Sequence, residues 1–153
     1  MRFLLIDKIT SWEPGKSASA LKSIALSEDF FEEHFPGRPI MPGTLILEGM
    51  AQLAGLLLEE TVRRADGKAV KAVLSIVERA KFRSPAHPGD QLRYDATILS
   101  LNELGGKVDG KAECEGEVKA DCRLVFAFHE FASPRLERLQ QEVVSLWMRD
   151  LHA

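Results

Sequence analysis

The chain has 153 residues, of which 45% are hydrophobic and 28% are charged, and its formal net charge is −3. These values are typical of one globular domain, and the acidic balance argues against nucleic-acid binding. The longest apolar run is shorter than the roughly 20 residues of a membrane span, and Asp7 comes too early for a signal peptide, so we expect a cytoplasmic protein.

The first part of the chain predicts one strand and one short helix. After a short apolar segment from Phe3 to Ile6, the sequence Glu13-Pro-Gly-Lys16 is typical of a turn. Alternating apolar residues from Ser17 to Leu26 predict a strand. Ser27 is a suitable N-cap for a short helix that runs to Glu33. These elements lead into a loop rich in proline.

The most informative segment runs from His34 to Glu48 and has the sequence His-Phe-Pro-Gly-Arg-Pro-Ile-Met-Pro-Gly-Thr-Leu-Ile-Leu-Glu. Its three prolines argue against a helix or a central strand, so we predict a stiff loop that presents His34. Gly43 then opens a helix that carries Glu48, and a helix start exposes free N–H groups and a partial positive charge. A base, an acid and a site for an oxyanion are what proton transfer next to a carbonyl group requires.

The helix that follows is predicted from Thr44 to about Ala65, a length of roughly 33 Å. Its first half is apolar on every side, which is typical of a buried helix, and Gly67 is a suitable residue for its C-terminal end. Gln52 lies one turn after Glu48 on the same face. It could orient Glu48 or a water molecule, or satisfy the end of a neighbouring helix.

Two glycines inside this helix indicate close packing. Glycine costs about 1 kcal/mol relative to alanine in a helix, so each needs a compensating reason. We expect Gly49 and Gly55 to allow close approach of another backbone or of a bound acyl chain.

The remainder of the domain alternates with a period of two residues. Ala69 to Glu78 and Asp90 to Asn102 each predict a strand. Lys107 to Cys114 and Glu117 to His129 predict a hairpin closed by Glu115-Gly116. One long buried helix against an antiparallel sheet with one apolar face gives an α+β architecture. The two cysteines, Cys114 and Cys122, lack metal-ligand spacing, and we expect them to be small buried hydrophobic residues.

A second helix is predicted after Ser133-Pro134, because proline suits the first helical position after a serine cap. Its apolar stripe consists of Leu136, Leu139, Val143 and Leu146. We expect this stripe to pack on the chain's own domain or on a twin subunit; the alternative is a helix that docks a partner.

These residues resemble a known family. The segment from His34 to Glu48 is similar to the active-site signature of the FabZ/FabA-type 3-hydroxyacyl-[acyl-carrier-protein] dehydratases, in which an acid follows the histidine of His-Phe-Pro-Gly by fourteen positions. The block Lys81-Phe-Arg-Ser-Pro-Ala-His-Pro-Gly-Asp-Gln-Leu92 and the opening Leu4-Leu-Ile-Asp-Lys8 also fit, so the resemblance covers roughly residues 2–129. Glu48 in place of aspartate favours the FabZ-like branch, whereas Gly49 departs from the usual alanine.

The resemblance implies a fold and a set of roles. Residues 1–132 would form a single hot-dog domain, in which a curved antiparallel sheet wraps a long central helix. The tail is longer than the family needs, and from its own sequence we expect residues 133–153 to form a C-terminal amphipathic helix. His34 matches the family's base, Glu48 its acid or water-orienting partner, and Gly43 its oxyanion glycine. Hot-dog dimers would place His34 of one chain beside Glu48 of the other, although the sequence alone does not choose between a shared site and a site within one chain.

We therefore expect dehydration of a 3-hydroxyacyl thioester to a trans-2-enoyl thioester, as in the synthesis of fatty acids, polyketides or related chains. No cofactor is expected, because dehydration moves no electrons, and no metal site is expected. The alternatives are a thioesterase on the same fold and a non-catalytic acyl-binding partner subunit. A thioesterase has no need of a base above the α-carbon, and a catalytically dead subunit usually lacks one of the two reactive groups.

The expected partners follow from the same resemblance. Acyl carrier protein would supply the thioester substrate, and because such carriers are acidic, the docking rim should be basic. Arg38, Lys81, Arg83 and Arg93 are the candidates, and each could equally be an ordinary solvated charge. We expect a homodimer, or a trimer of such dimers, with no nucleic acid bound.

Overall fold

A six-stranded antiparallel sheet wraps one long helix in the computed structural model, which describes residues 4–130 and 133–151. The strand order is β1-β2-β4-β5-β6-β3, and every neighbouring pair is antiparallel. The strands are β1 (Lys8–Glu13), β2 (Ser17–Ser23), β3 (Lys71–Phe82), β4 (Gln91–Leu101), β5 (Gly105–Cys114) and β6 (Glu117–His129). The helices are α1 (Gly43–Asp66), α2 (Pro134–Trp147) and a one-turn 3-10 helix (Asp29–Glu32).

The core lies between α1 and the inner face of the sheet. Ala120, Cys122, Leu124 and Phe126 alternate along β6 and are all buried, which confirms the predicted apolar face. Burial raises the pKa of the Cys122 thiol to about 11, so this cysteine behaves as a small apolar side chain. The predicted α+β arrangement of one long helix against a curved antiparallel sheet is confirmed.

The β5–β6 hairpin forms with the predicted turn, and β5 begins at Gly105, two residues before the predicted start. Cys114 pairs with Glu117, and the two residues between them have positive φ angles, 49° at Glu115 and 82° at Gly116. Positive φ at both central positions is the signature of a type I′ turn, whose twist matches that of the flanking strands.

The long helix α1 also follows the prediction, with one extra residue at each end. Its C-terminal cap is Gly67, whose φ of 72° is left-handed and whose N–H donates a hydrogen bond to the carbonyl oxygen of Arg63 at 2.9 Å. Among the described helices, none combines the length and the apolar composition needed to cross a membrane.

The N-terminal predictions need correction. The helix predicted from Ser27 to Glu33 is a single 3-10 turn, Asp29–Glu32, and no side chain caps it, so Ser27 is not its cap. The strand β1 was not predicted, because Lys8–Glu13 shows no clear alternation in its sequence. Phe3, part of the predicted first apolar segment, lies outside the described residues.

The strand β3 begins two residues later than predicted and continues to Phe82. It forms one edge of the sheet, and most of its side chains are exposed. The large apolar residues exposed on it are Val73, Leu74, Ile76, Val77 and Phe82. A long, apolar and unpaired edge is a surface on which another strand can add.

The second helix, α2, starts at Pro134 as predicted, but its packed face differs from the predicted stripe. Trp147 is buried and Val143 is partly buried, whereas Leu136, Leu139 and Leu146 are exposed. An ion pair of 2.5 Å between Lys8 and Asp150 joins the end of this segment to β1. The periodicity predicted the helix, but contacts with α1 and β1 select the neighbouring face for burial. The proposed boundary at residue 132 falls outside the described residues.

Candidate active site

His34 lies in a loop that is closed by its own backbone hydrogen bonds. The N–H of Ile40 donates to the carbonyl oxygen of His34 at 3.0 Å, and the N–H of Arg38 donates to that of Phe35 at 2.9 Å. The N–H of Met41 donates to the carbonyl oxygen of Ala86 at 2.8 Å, which ties the loop to the segment after β3. Three prolines and these bonds give the stiff loop that the sequence predicts.

The imidazole of His34 is oriented by the same loop. Its Nδ1 lies 2.8 Å from the carbonyl oxygen of Ile40, and because a carbonyl only accepts, Nδ1 must carry the proton. In neutral histidine this leaves Nε2 unprotonated and able to accept a proton. The ring also stacks on that of Phe35, with centroids 4.2 Å apart. Half-buried, oriented and with one free nitrogen, His34 has the form of a general base.

Gly43 is the first residue of α1, so its N–H is one of the helix's unbonded N-terminal donors. A cavity of about 250 Å³ is lined by both His34 and Gly43, and Phe82 closes part of it. A Cβ added at Gly43 would lie 2.7 Å from Cδ1 of Phe82, so this position has no room for a side chain beside the ring. Phe82 belongs to the motif that begins at Lys81, but its position against Gly43 was not predicted.

Glu48 lies on the next turn of α1 and is held by Gln52. Nε2 of Gln52 donates a hydrogen bond to Oε1 of Glu48 at 3.1 Å, and Oε1 of Gln52 accepts one from the N–H of Leu5 at 3.2 Å. The backbone of Leu5 therefore fixes which end of the Gln52 amide faces Glu48. Of the roles that the sequence left open for Gln52, this arrangement favours orientation of the carboxylate.

The side chains of His34 and Glu48 line different cavities of this chain. His34 faces the cavity beside Gly43, whereas Glu48 faces a second cavity of about 460 Å³ along α1. Within the described part of the chain, no three His, Cys, Asp or Glu side chains come together as metal ligands would.

The four candidate docking cations divide into two pairs. Arg83 is hydrogen-bonded to Asp121, and Arg93 donates to Asp95 at 3.0 Å. Arg38 and Lys81 are exposed and have no ion pair among the described residues. The pairing of Arg83 could not be predicted, because Asp121 lies 38 positions away along the chain, whereas Asp95 lies only two residues from Arg93 on the same strand, β4.

Gly49 packs against a buried tyrosine. A Cβ at Gly49 would lie 2.5 Å from the hydroxyl oxygen of Tyr94, which is fully buried in β4. The expected close approach at Gly49 is therefore that of a side chain, not of a backbone or an acyl chain. Burial, with smaller contributions from Asp7 and Glu28, raises the pKa of Tyr94 above its usual range.

This burial predicts a response to alkaline pH. Because the pKa of Tyr94 is higher in the folded chain than in the unfolded chain, its contribution to stability is complete below about pH 10 and falls by about 1.4 kcal/mol per pH unit above it. Tyr94 is the only tyrosine, so tyrosinate absorbance reports this residue alone. We expect tyrosinate to appear together with unfolding, measured by circular dichroism, and Tyr94→Phe to unfold at a higher pH. Tyrosinate formation near pH 10 in a fully folded protein would contradict the burial.

Comparison with known proteins gives a family. The chain matches the FabA-like domain over residues 1–128. It is 45% identical over 128 residues to a 3-hydroxyacyl-[acyl-carrier-protein] dehydratase FabZ of Acetivibrio thermocellus, a match that covers 82% of this chain and 84% of that protein. It is 40% identical over 130 residues to a 3-hydroxyacyl-[acyl-carrier-protein] dehydratase FabZ of Geotalea uraniireducens, a match that covers 85% of this chain and 89% of that protein.

Solved structures share the fold at low sequence identity. A Streptococcus mutans protein solved with acetyl-CoA superposes with a TM-score of 0.64 at 16% identity, over 82% of this chain and 90% of that one. A chain of the dehydratase heterocomplex ApeI:P of Xenorhabdus doucetiae superposes with a TM-score of 0.57 at 20% identity, over 73% of this chain and 88% of that one. A Haemophilus influenzae thioesterase superposes with a TM-score of 0.62 at 12% identity, over 82% of this chain and 80% of that one. The fold alone therefore does not separate dehydratases from thioesterases. The sequence match does separate them, and this chain belongs to the family of proteins with a FabA-like domain.

Proposed function

We propose that this protein removes water from 3-hydroxyacyl thioesters bound to acyl carrier protein and forms trans-2-enoyl thioesters, as in fatty acid biosynthesis or a related acyl pathway. The observation that carries the proposal is the 45% identity to a FabZ dehydratase across a segment that contains both His34 and Glu48. The hydrogen bonds that orient these two groups support it.

The proposed chemistry needs two proton transfers at adjacent carbons. Nε2 of His34 takes a proton from the α-carbon, and charge then moves to the thioester oxygen. The free N–H of Gly43 stabilises that charge, since a donor at a developing oxyanion lowers the barrier. Glu48, held by Gln52, donates a proton to the departing hydroxyl group, so that water leaves.

An assay of two products separates this function from its alternatives. With a 3-hydroxyacyl carrier protein as substrate, a dehydratase raises the enoyl absorbance and releases no thiol. A thioesterase releases thiol, and a non-catalytic acyl-binding subunit does neither. Thiol release without enoyl formation would replace the proposal by the thioesterase alternative.

The oxyanion role gives a prediction for Gly43. We expect Gly43→Val to lower kcat more than it raises KM, because the interaction with the thioester oxygen strengthens as charge develops. The added side chain would also displace the ring of Phe82. Phe82→Ala is therefore the matched control, since it removes the ring and leaves the helix start unchanged. Steady-state kinetics that show only a raised KM in Gly43→Val would contradict the role.

We further propose that two copies of the chain complete each site. His34 and Glu48 line different cavities, and the exposed apolar edge β3 runs to Phe82, beside the His34 cavity. Pairing of β3 with a second copy would satisfy the unpaired edge and bury its apolar side chains, and twofold pairing is the commonest solution. A trimer of such dimers is compatible with the same pairing.

The carrier protein is the proposed partner. Arg38 and Lys81 are exposed and free of ion pairs among the described residues, which leaves them available to the acidic surface of a carrier. Arg83 and Arg93 are already paired with acidic residues and are the weaker candidates. We place the reaction in the cytoplasm, as the sequence predicts.

A further inference from the structure

The helix α2 forms a wall of the cavity that begins at Glu48. The cavity of about 460 Å³ runs along α1 past Gln52 and Gly55, and Leu139 and Val143 of α2 line its other side. This volume falls within the range of about 300 to 1,000 Å³ that is typical of small-molecule sites. The chain's match to the FabA-like domain ends at residue 128, so α2 lies outside the matched region and adds this wall to the fold.

The cavity is apolar between two polar ends. At one end Gln52 donates to Glu48. At the other end, Oε1 of Glu59 accepts a hydrogen bond from the N–H of Ala72 at 3.1 Å. Its Oε2 accepts one from Nε2 of Gln140 at 2.8 Å. Positions 48 and 59 are separated by about 16 Å along the helix axis. The bond between Glu59 and Gln140 joins α2 to α1 and marks a far limit to the cavity.

The floor between these ends is open and apolar. A Cβ at Gly55 would meet only ordinary contacts, the nearest being Cε1 of Phe126 at 3.6 Å, so the absence of a side chain leaves free space there. Leu74 and Leu56 add further apolar lining. An apolar channel that starts at the acid of the reaction and ends at a polar contact fits the alkyl chain of the substrate.

We propose that α2 is part of the acyl-binding site and that Leu139 and Val143 set the longest acyl chain that the enzyme accepts. This inference rests on the proposed dehydratase function. The 3-hydroxyl group of the substrate lies at Glu48, and the alkyl chain extends from there between α1 and α2 towards Glu59. A chain that is too long meets the wall at α2 and the bond between Glu59 and Gln140.

Two leucines of α2 make a matched pair for the test. Leu136 and Leu139 are each 48% exposed, but only Leu139 lines the cavity. The quantity to measure is a ratio of two kcat/KM values, that for 3-hydroxydodecanoyl carrier protein divided by that for 3-hydroxybutyryl carrier protein. Since each buried methylene contributes about fourfold, a side chain that excludes two methylenes should lower the ratio roughly fifteenfold. We expect this from Leu139→Trp and, as a second variant, from Val143→Phe, whereas Leu136→Trp should keep the wild-type ratio.

A binding measurement tests the same wall without turnover. A dodecyl thioether of pantetheine should bind the wild type and the Leu136→Trp variant alike by calorimetry, and the Leu139→Trp variant roughly fifteenfold more weakly, for the same two excluded methylenes. The inference is overturned if folded Leu139→Trp and Val143→Phe both keep the wild-type ratio, or if the wild type binds the dodecyl thioether no better than an ethyl thioether. If the wild type is active and the variants keep its ratio of kcat/KM values, only the role of α2 is refuted. A wild type that forms no enoyl product from either thioester would instead refute the dehydratase function, and the binding result would still decide the role of α2.

Discussion

His34→Ala and Glu48→Gln should each lower the rate of dehydration by at least about 100-fold with the fold intact, since a positioned acid or base typically contributes that much. His34→Ala removes the imidazole whose orientation leaves Nε2 able to accept a proton. Glu48→Gln keeps the size of the side chain and its position beside Gln52 but removes the acid. The rise in enoyl absorbance with a 3-hydroxyacyl carrier protein measures both effects.

Matched controls exist for each variant. His87→Ala removes an exposed histidine in the loop after β3, and Glu60→Gln removes an acid on α1 that pairs with Arg63 at the surface. Both controls should keep near-normal rates, because surface ion pairs and exposed side chains contribute little to stability. Near-normal dehydration by folded His34→Ala or Glu48→Gln would refute the catalytic assignment.

Mixing the two inactive variants should restore activity if each site uses two chains. In a mixed dimer one site carries both mutations and the other carries neither. When His34→Ala and Glu48→Gln chains are unfolded and refolded together, random pairing makes about half of the dimers mixed, so roughly a quarter of wild-type activity per chain should return. Each variant refolded alone should stay inactive.

The mixing experiment needs proof that heterodimers form. Different affinity tags on the two variants allow the mixed species to be purified and assayed by itself. If both groups came from one chain, every site would carry one lesion and the purified heterodimer would be inactive. That result would reject the shared site and leave the dehydratase function untouched.

The sequence predicted the active-site elements well because their signals are local. Prolines fix the loop before α1, and Gly67 ends the helix through its own left-handed conformation. The spacing of His34 and Glu48 predicted both candidate catalytic groups, and their roles stay predictions. The direction of the His34 ring was not predictable, because it depends on a hydrogen bond to Ile40 that forms only in the folded loop.

Features that depend on distant residues could not be predicted from local patterns. Gln52 is oriented by the backbone of Leu5, 47 positions away. The periodicity of α2 identified a helix, but the side that packs is chosen by α1 and β1, so Trp147 is buried and Leu139 is exposed. The register of β1 depends on its pairing with β2, because its own sequence has no clear alternation.

The contact between Gly49 and Tyr94 constrains the order in which this protein can change. The ring of Tyr94 is fully buried, so it cannot move aside for the Cβ that alanine would add at position 49. Alanine at position 49 therefore requires a smaller side chain at position 94. Substitutions at positions 49 and 94 are therefore coupled, and a chain that is changed at one position at a time must lose bulk on the strand before it gains a side chain on the helix.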